Sequence, residues 1–296
     1  MTDTGGRGPI DAHLHLWDLA VSDYAWLGPQ HGDLFRSWTA GEAAVELVGA
    51  GVAGAVLVQA EDSRADTRHL LRIAAEQEWV LGVVGWLQLD NIAATAHDLD
   101  EWAAHPKFVG VRHLLNDDPR ADFLELPAVR AGLAELARRG LPFDVHDAWP
   151  RHLDRAAALA GDLPELTVVL DHLGKPPPRV GGPAGAAGAA ESAAEFDDWR
   201  AALTRLARHP LAVAKVSGLQ GPAFSVDTAR PAFDAALEAF GADRLMWGGD
   251  WPLTVQAGGY GPAFAVYSAL VAELSPTERH SILRGTATRV YRLSTD

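Results

Sequence analysis

The segment PIDAHLHLWD, residues 9–18, sets His13 and His15 one residue apart among apolar neighbours. At that spacing two imidazoles share one face of a β-strand, because side chains alternate, and Leu14 and Leu16 take the other. Buried together they need hydrogen-bond partners or a metal ion, since an unpaired buried polar group costs about 1–3 kcal/mol. Other groups suited to acid–base, electrophilic or ligand chemistry sit in further short apolar runs: Gln59, Arg112, His113, His146, Asp171, His172, Lys215 and Asp250. Singly, each has a plain structural reading. The histidines could be core residues bonded to carbonyls, Asp171 a turn cap, Arg112 a clamp and Lys215 an ion-pair partner inside the fold. Their shared position at the ends of such runs is what argues for a site.

Eight runs must carry them, at 9–16, 52–60, 80–88, 108–115, 142–148, 166–174, 211–219 and 244–252, each rich in Val, Ile or Leu. Between them lie segments with Leu and Ala at helical spacing, such as TAGEAAVELVGAG, ADTRHLLRIAAEQE, PAVRAGLAELARRG and TARPAFDAALEAFG, several ending in a Gly suited to a helix C-cap. This alternation predicts an α/β chain, and with no linker dividing it, one domain over 1–296: a single (β/α)8 TIM barrel. An open doubly wound sheet is the alternative, but no G-x-G-x-x-G follows the first run. In a barrel, His13 and His15 face the interior, and the strand ends listed above are where catalytic groups collect. The stretch at 176–195, PPPRVGGPAGAAGAAESAAE, reads as a mobile loop over that end.

Composition limits the chemistry. With 25 Lys plus Arg against 39 Asp plus Glu, the net charge of −14 argues against nucleic acid or an anionic membrane as partner and favours a small molecule. There is no cysteine, so a metal must be held by His, Asp or Glu. The opening MTDTGGRGPI lacks an apolar signal core and no apolar run reaches bilayer length, which predicts a cytoplasmic protein.

The motifs IDAHLHLWD, AVLVQAE, GVVGWLQLD, GVRHLLND, VVLDHLGKP, KVSGL, RLMWGGDWP and GTATRVYRL together resemble the amidohydrolase superfamily. More narrowly they are similar to its sugar-lactone hydrolases of the L-fuconolactonase and L-rhamnonolactonase type, and more distantly to 2-pyrone-4,6-dicarboxylate lactonase. The resemblance implies that His13, His15 and His172 are catalytic, that Asp250 is the base that activates water, and that Arg112, His113 and Gln59 contact substrate. It also implies that a two-metal centre would need a bridging Lys or Glu on the fourth or fifth strand; neither strand has a Lys. The run FDVHDAWPRHL departs from similar lactonases and puts His146 where metal-binding amidohydrolases carry a ligand. His13, His15, His146 and Asp250 then form a candidate site for one divalent ion, zinc by ligand type, in an enzyme that works with or without metal. His146 as a hydrogen-bond partner of the substrate is the alternative.

Lactone hydrolysis needs a base for water and positive charge or donors at the carbonyl oxygen. Asp250 would serve the first need; His13, His15 and His172, directly or through the ion, would serve the second. Trp17, Trp26, Trp149 and Trp251 lie near run ends, and Trp17 and Trp251 are the expected stacking walls for a sugar ring, with core packing as the plain alternative. A single Arg at a run end favours a neutral sugar lactone over a dicarboxylate. Two rival readings stay open: a metal-dependent decarboxylase of the same superfamily, which His146 would suit, and a catalytically silent sugar-binding barrel.

Overall fold

The computed structural model describes residues 8–146, 148–177, 186–221 and 223–294, with side chains omitted for 186–191. Eight parallel strands run in chain order: β1 (Ile10–Leu14), β2 (Gly54–Val58), β3 (Val80–Gly85), β4 (Phe108–His113), β5 (Phe143–Val145), β6 (Val168–Leu170), β7 (Ala212–Val216) and β8 (Leu245–Trp247). Each is followed by a helix: α1 (Ala40–Ala50), α2 (Arg64–Glu76), α3 (Ile92–Trp102), α4 (Pro127–Arg139), α5 (Leu153–Asp162), α6 (Ala186–Ala207), α7 (Val226–Phe240) and α8 (Tyr260–Ala272). The ring closes where Asp250 N–H donates to the His13 carbonyl (2.7 Å) and His15 N–H to that of Trp251 (2.7 Å). This is the expected (β/α)8 barrel.

Local signals explain the helix ends. Thr39 and Glu42 form a capping box at the start of α1, and Gly51 ends it at φ 69°. Ser225 and Thr228 cap α7 in the same manner. The expectation of a loop through 176–195 is corrected: α6 begins at Ala186, because an Ala-rich run is a strong helix former even with Gly188 inside it. Residues 178–185 of that stretch lie outside the described residues.

Two cores follow from strand alternation. Ile10, Ala12, Val56, Val58, Val84, Val169, Val213 and Met246 fill the barrel, closed from the C-terminal segment by Val290 and Tyr291. Leu14, Leu16, Leu57, Val83, Val145, Leu170 and Trp247 face the helices. A bulge resets the phase of β1: its pairing with β2 advances from Asp11↔Ala55 to Leu14↔Leu57, three residues against two. Ala12 and His13 therefore both turn inward. Without that extra residue the phase set by Ile10 would send His13 and His15 into the helical layer.

Above the apolar floor lies a charged one. The Lys215 ammonium, fully buried, is 2.6 Å from Asp144 Oδ2, 3.0 Å from Asp171 Oδ1 and 3.0 Å from His13 Nδ1. Arg112 pairs with Asp171 Oδ2 at 3.2 Å and also donates to the Gln59 carbonyl. Tyr291 donates to Asp144 (2.8 Å). Burial raises Asp144 to about 6 despite Lys215 beside it. For Asp171 burial also pushes upward, but Lys215, His13 and Arg112 together hold it well below the usual carboxylate range. Removing one partner of such a buried set strands a charge, at a cost of about 3–5 kcal/mol. Lys215→Met is thus expected to lower the unfolding free energy by about that amount in urea titrations, and adding Asp144→Leu to recover a large part of it.

Candidate active site

His15, Arg112, His146, His172 and Asp250 from the strand ends meet at one mouth of the barrel, in a cavity of about 340 Å³ lined also by Trp26, His31, Leu114, Asn116, Asp117, Lys175 and Leu253, among others. His13 lies just beneath, fully buried, its Nε2 3.0 Å from His15 Nε2. The hydrogen-bond network assigns the tautomers. Lys215 has only donors, so its shorter contact makes His13 Nδ1 the acceptor and gives Nε2–H to His15 Nε2, with the Arg112 guanidinium at the longer distance of 3.4 Å from the same Nε2. His15 Nδ1–H donates to the Val58 carbonyl (2.8 Å), which makes His15 Nε2 the acceptor in its contact with His13.

Burial, partly offset by Asp171 and reinforced by Lys215 and His172, holds His13 well below the ordinary imidazole value. Burial and then the Arg112 charge bring His15 down to about 3. Both rings are neutral at physiological pH, as acceptors or ligands must be.

His172 sits in an unusual turn: His172, Leu173, Gly174 and Lys175 all have positive φ (55°, 53°, 73° and 61°). For non-glycine residues this is strained and persists only when packing dictates it. The His172 ring is held by Ser217 Oγ (2.9 Å from Nδ1) and lies 4.5 Å, centroid to centroid, from His13. It also rests over Gly218, where a Cβ would come within 2.4 Å of the ring, so KVSGL needs its glycine. Asp250, at φ 56°, is pinned through its backbone to His13 and places Oδ1 3.6 Å from His15 Nε2. At Gly248 a Cβ would approach His13 Cβ to 2.6 Å, which accounts for the first glycine of GGDWP.

His13, His15 and Asp250 offer ligand atoms within 4.8 Å of one another, all buried. The donor set fits one divalent ion with an open position. His15 already has the Nδ1–H···O=C bond that aims Nε2 at a metal, and Asp171 Oδ1, 3.4 Å from His13 Nδ1, can hold the His13 proton in the tautomer that frees Nε2. His146, expected as fourth ligand, is a half-buried wall residue outside that set, its ring 6.1 Å from His172. A second group, His13, Asp171 and His172, shares His13 but is tied to Arg112, Lys215 and Ser217.

Of the expected substrate contacts, Arg112 lines the cavity and the others do not. His113 lies on the far side of β4, bonded to Asp62 (3.0 Å) and Asp118 (3.1 Å) and stacked on Phe123 at 3.9 Å. Gln59 is buried, donating to Asp62 (3.1 Å). The expected stacking walls are corrected as well. Trp17 is fully buried with its indole N–H on the Arg36 carbonyl (2.6 Å), and Trp251 packs edge-on against Trp38 at 5.0 Å. Trp26 is the tryptophan that lines the cavity, its N–H held by the Ala60 carbonyl at 2.7 Å. His31 comes from a short 3-10 helix at Pro29–Leu34 and Asn116, Asp117 and Lys175 from turns, segments whose sequences carry no periodic signal.

The sequence profile of the amidohydrolase family matches residues 10–293. The chain is similar to L-fucono-1,5-lactonase from Burkholderia ambifaria, with 33% identity over 291 residues that cover 96% of this chain and 95% of the relative. It is 34% identical to L-fucono-1,5-lactonase from Burkholderia multivorans over 303 residues, covering 96% of each. Among solved structures, an amidohydrolase from Burkholderia multivorans superimposes with a TM-score of 0.87 in a crystal with bound HEPES (30% identity; 97% of this chain, 99% of that one). With bound zinc the TM-score is 0.85 (31% identity, the same coverage). Among the described residues no helix is long and apolar enough to cross a membrane.

Because His15 is held neutral when folded, the unfolded chain gains protons first as pH falls below the ordinary imidazole value, and stability is lost from there down to about 3. With metal chelated, His15→Asn should lose roughly 1.4 kcal/mol less than the parent between about pH 7.5 and about pH 5.5. Urea titrations at the two pH values check this, and parallel losses would count against a neutral His15.

Proposed function

From its membership of the amidohydrolase family, to which the chain belongs, we propose that it opens a sugar-acid lactone of the L-fucono-1,5-lactone type by addition of water. The observation that carries this is the convergence of His13, His15, His172 and Asp250 on one cavity, in a chain a third identical to enzymes named for that reaction. His13 belongs to this cluster from below, through His15 and His172.

Asp250 takes the proton of a water lying between it and His15 while the oxygen attacks the lactone carbonyl. His172, which lines the cavity together with Arg112 and His146, would face the carbonyl oxygen on which negative charge grows. Protonated Asp250 then returns its proton to the ring oxygen as the carbon–oxygen bond breaks, giving the open hydroxy acid. A divalent ion on His13, His15 and Asp250 supplies Lewis-acid polarisation when bound.

Charge in the cavity supports a neutral sugar ring. Arg112 is already paired with Asp171, and Lys175 and Asp117 line the same cavity with opposite signs, so little net positive charge is left for a dicarboxylate. Trp26, with Leu114 and Leu253, offers the apolar surface for one ring face.

Three measurements test the reading. A screen of L- and D-sugar lactones with a pH indicator should show turnover on L-fucono-1,5-lactone or a close stereoisomer, and carbon dioxide release from aromatic acids without lactone opening would favour the decarboxylase. Asp250→Asn should lower kcat by about 10²–10⁴-fold with the thermal unfolding profile retained, and near-normal kcat would remove Asp250 as the base. Elemental analysis beside activity before and after chelation should find at most one divalent ion per chain, and lactone turnover that survives its removal would assign the electrophile to the side chains alone.

A further inference from the structure

The strand-end residues leave one polar contact of Asp250 unexplained. Gln220, in the loop after β7, donates from Nε2 to Asp250 Oδ2 at 3.1 Å. Its other amide atom, Oε1, accepts from the Tyr267 hydroxyl of α8 at 3.0 Å. That hydroxyl in turn accepts from the Leu219 backbone N–H at 3.3 Å. Every link runs one way. Because the Leu219 amide can only donate, the phenol proton is directed at Gln220 Oε1, and the glutamine must show its NH₂ side to the carboxylate. The reversed amide would set two acceptors against each other at the carboxylate and two donors against each other at the phenol. Tyr267 is 1% exposed and wedged on Phe224, so the chain is anchored in the helix layer. Gln220 is half-buried and is not among the residues lining the cavity.

We propose that Gln220, oriented by Tyr267, is a positioning residue that fixes the Asp250 carboxylate for proton transfer. It holds Oδ2, so that Oδ1 stays on the side of His15, 3.6 Å from Nε2, where the attacking water is activated. A carboxylate on a positive-φ residue with one oxygen unheld could turn about its side-chain bonds; the glutamine removes that freedom before substrate arrives. The proposal rests on the reading of Asp250 as the base.

The test is a double-mutant cycle on lactone hydrolysis by the full chain as purified. Gln220→Met keeps the length of the side chain and removes both hydrogen bonds. It is expected to lower kcat roughly ten- to a hundredfold, the range for a hydrogen bond to a charged group, with KM unchanged. Tyr267→Phe removes the hold on Gln220 Oε1 and should cost about three- to tenfold in kcat alone, a penalty that disappears in the Gln220→Met background. A kcat for Gln220→Met within about twofold of the parent, a loss carried by KM, or a Tyr267→Phe penalty that persists in the double variant would overturn the proposal. Should Gln220→Met fail to fold, Tyr267→Phe decides alone: a kcat loss at constant KM supports positioning, and an unchanged kcat refutes it. Asp250→Asn, assayed in parallel, separates the two ideas. An active Asp250→Asn sinks the base itself, whereas an inactive one beside a fully active Gln220→Met sinks only the positioning role.

Discussion

A protonated amine inside a closed barrel is the constraint on which this structure turns. Lys215 is fully buried, so the interior must supply acceptors, and Asp144, Asp171 and His13 Nδ1 match its three N–H groups in number. Meeting that demand commits residues on three strands and one turn. β1, β5 and the turn directly after β6 each place one group within 3.0 Å of the nitrogen that β7 supplies, and Tyr291 completes Asp144. The ion cluster divides the barrel into an apolar floor and a reactive mouth.

From that division follows the state of the site. Lys215 sets the His13 tautomer, His13 sets His15, and the Val58 carbonyl closes the series. Neither histidine carries charge, so the His15 Nε2 electron pair, engaged by His13, passes to a ligand only if the His13 proton moves away from Nε2. Asp171 serves two ends at once: it balances Lys215 and Arg112, and it stands by to hold the His13 proton if a metal claims Nε2. The charged layer thus neutralises Arg112 and is placed to orient His13 should a metal bind there.

The reactive groups of the mouth are held by backbone in unfavourable regions. His172 and Asp250 both have positive φ, and both are trapped by neighbours that leave no room for relaxation: Ser217 and Gly218 around the first, the His13 carbonyl and Gln220 around the second. A well-packed barrel of this length can bear a few such costs of about 1–3 kcal/mol each. Their concentration at one rim is itself a mark of function.

Much of this was legible in the amino-acid order. Eight apolar runs alternating with helical spacing determine a barrel, because parallel strands buried on both faces need such runs and helices to cover them. The histidines and Asp250 at run ends determine the kind of chemistry. The same alternation, carried further, would have excluded two expected contacts: Arg112 and Asp250 point inward, so His113 and Trp251 must point out, as they do. Tertiary structure alone decided the rest. A bulge in β1, invisible in composition, sets which face His13 takes. The pairing of Lys215 with Asp144 and His13 spans 71 and 202 residues of chain, and Gln220 reaches Asp250 only through a loop turned back by α8. Local sequence fixes local periodicity; which distant polar groups neutralise one another is settled only when closure of the ring excludes water and forces each buried charge to find a partner.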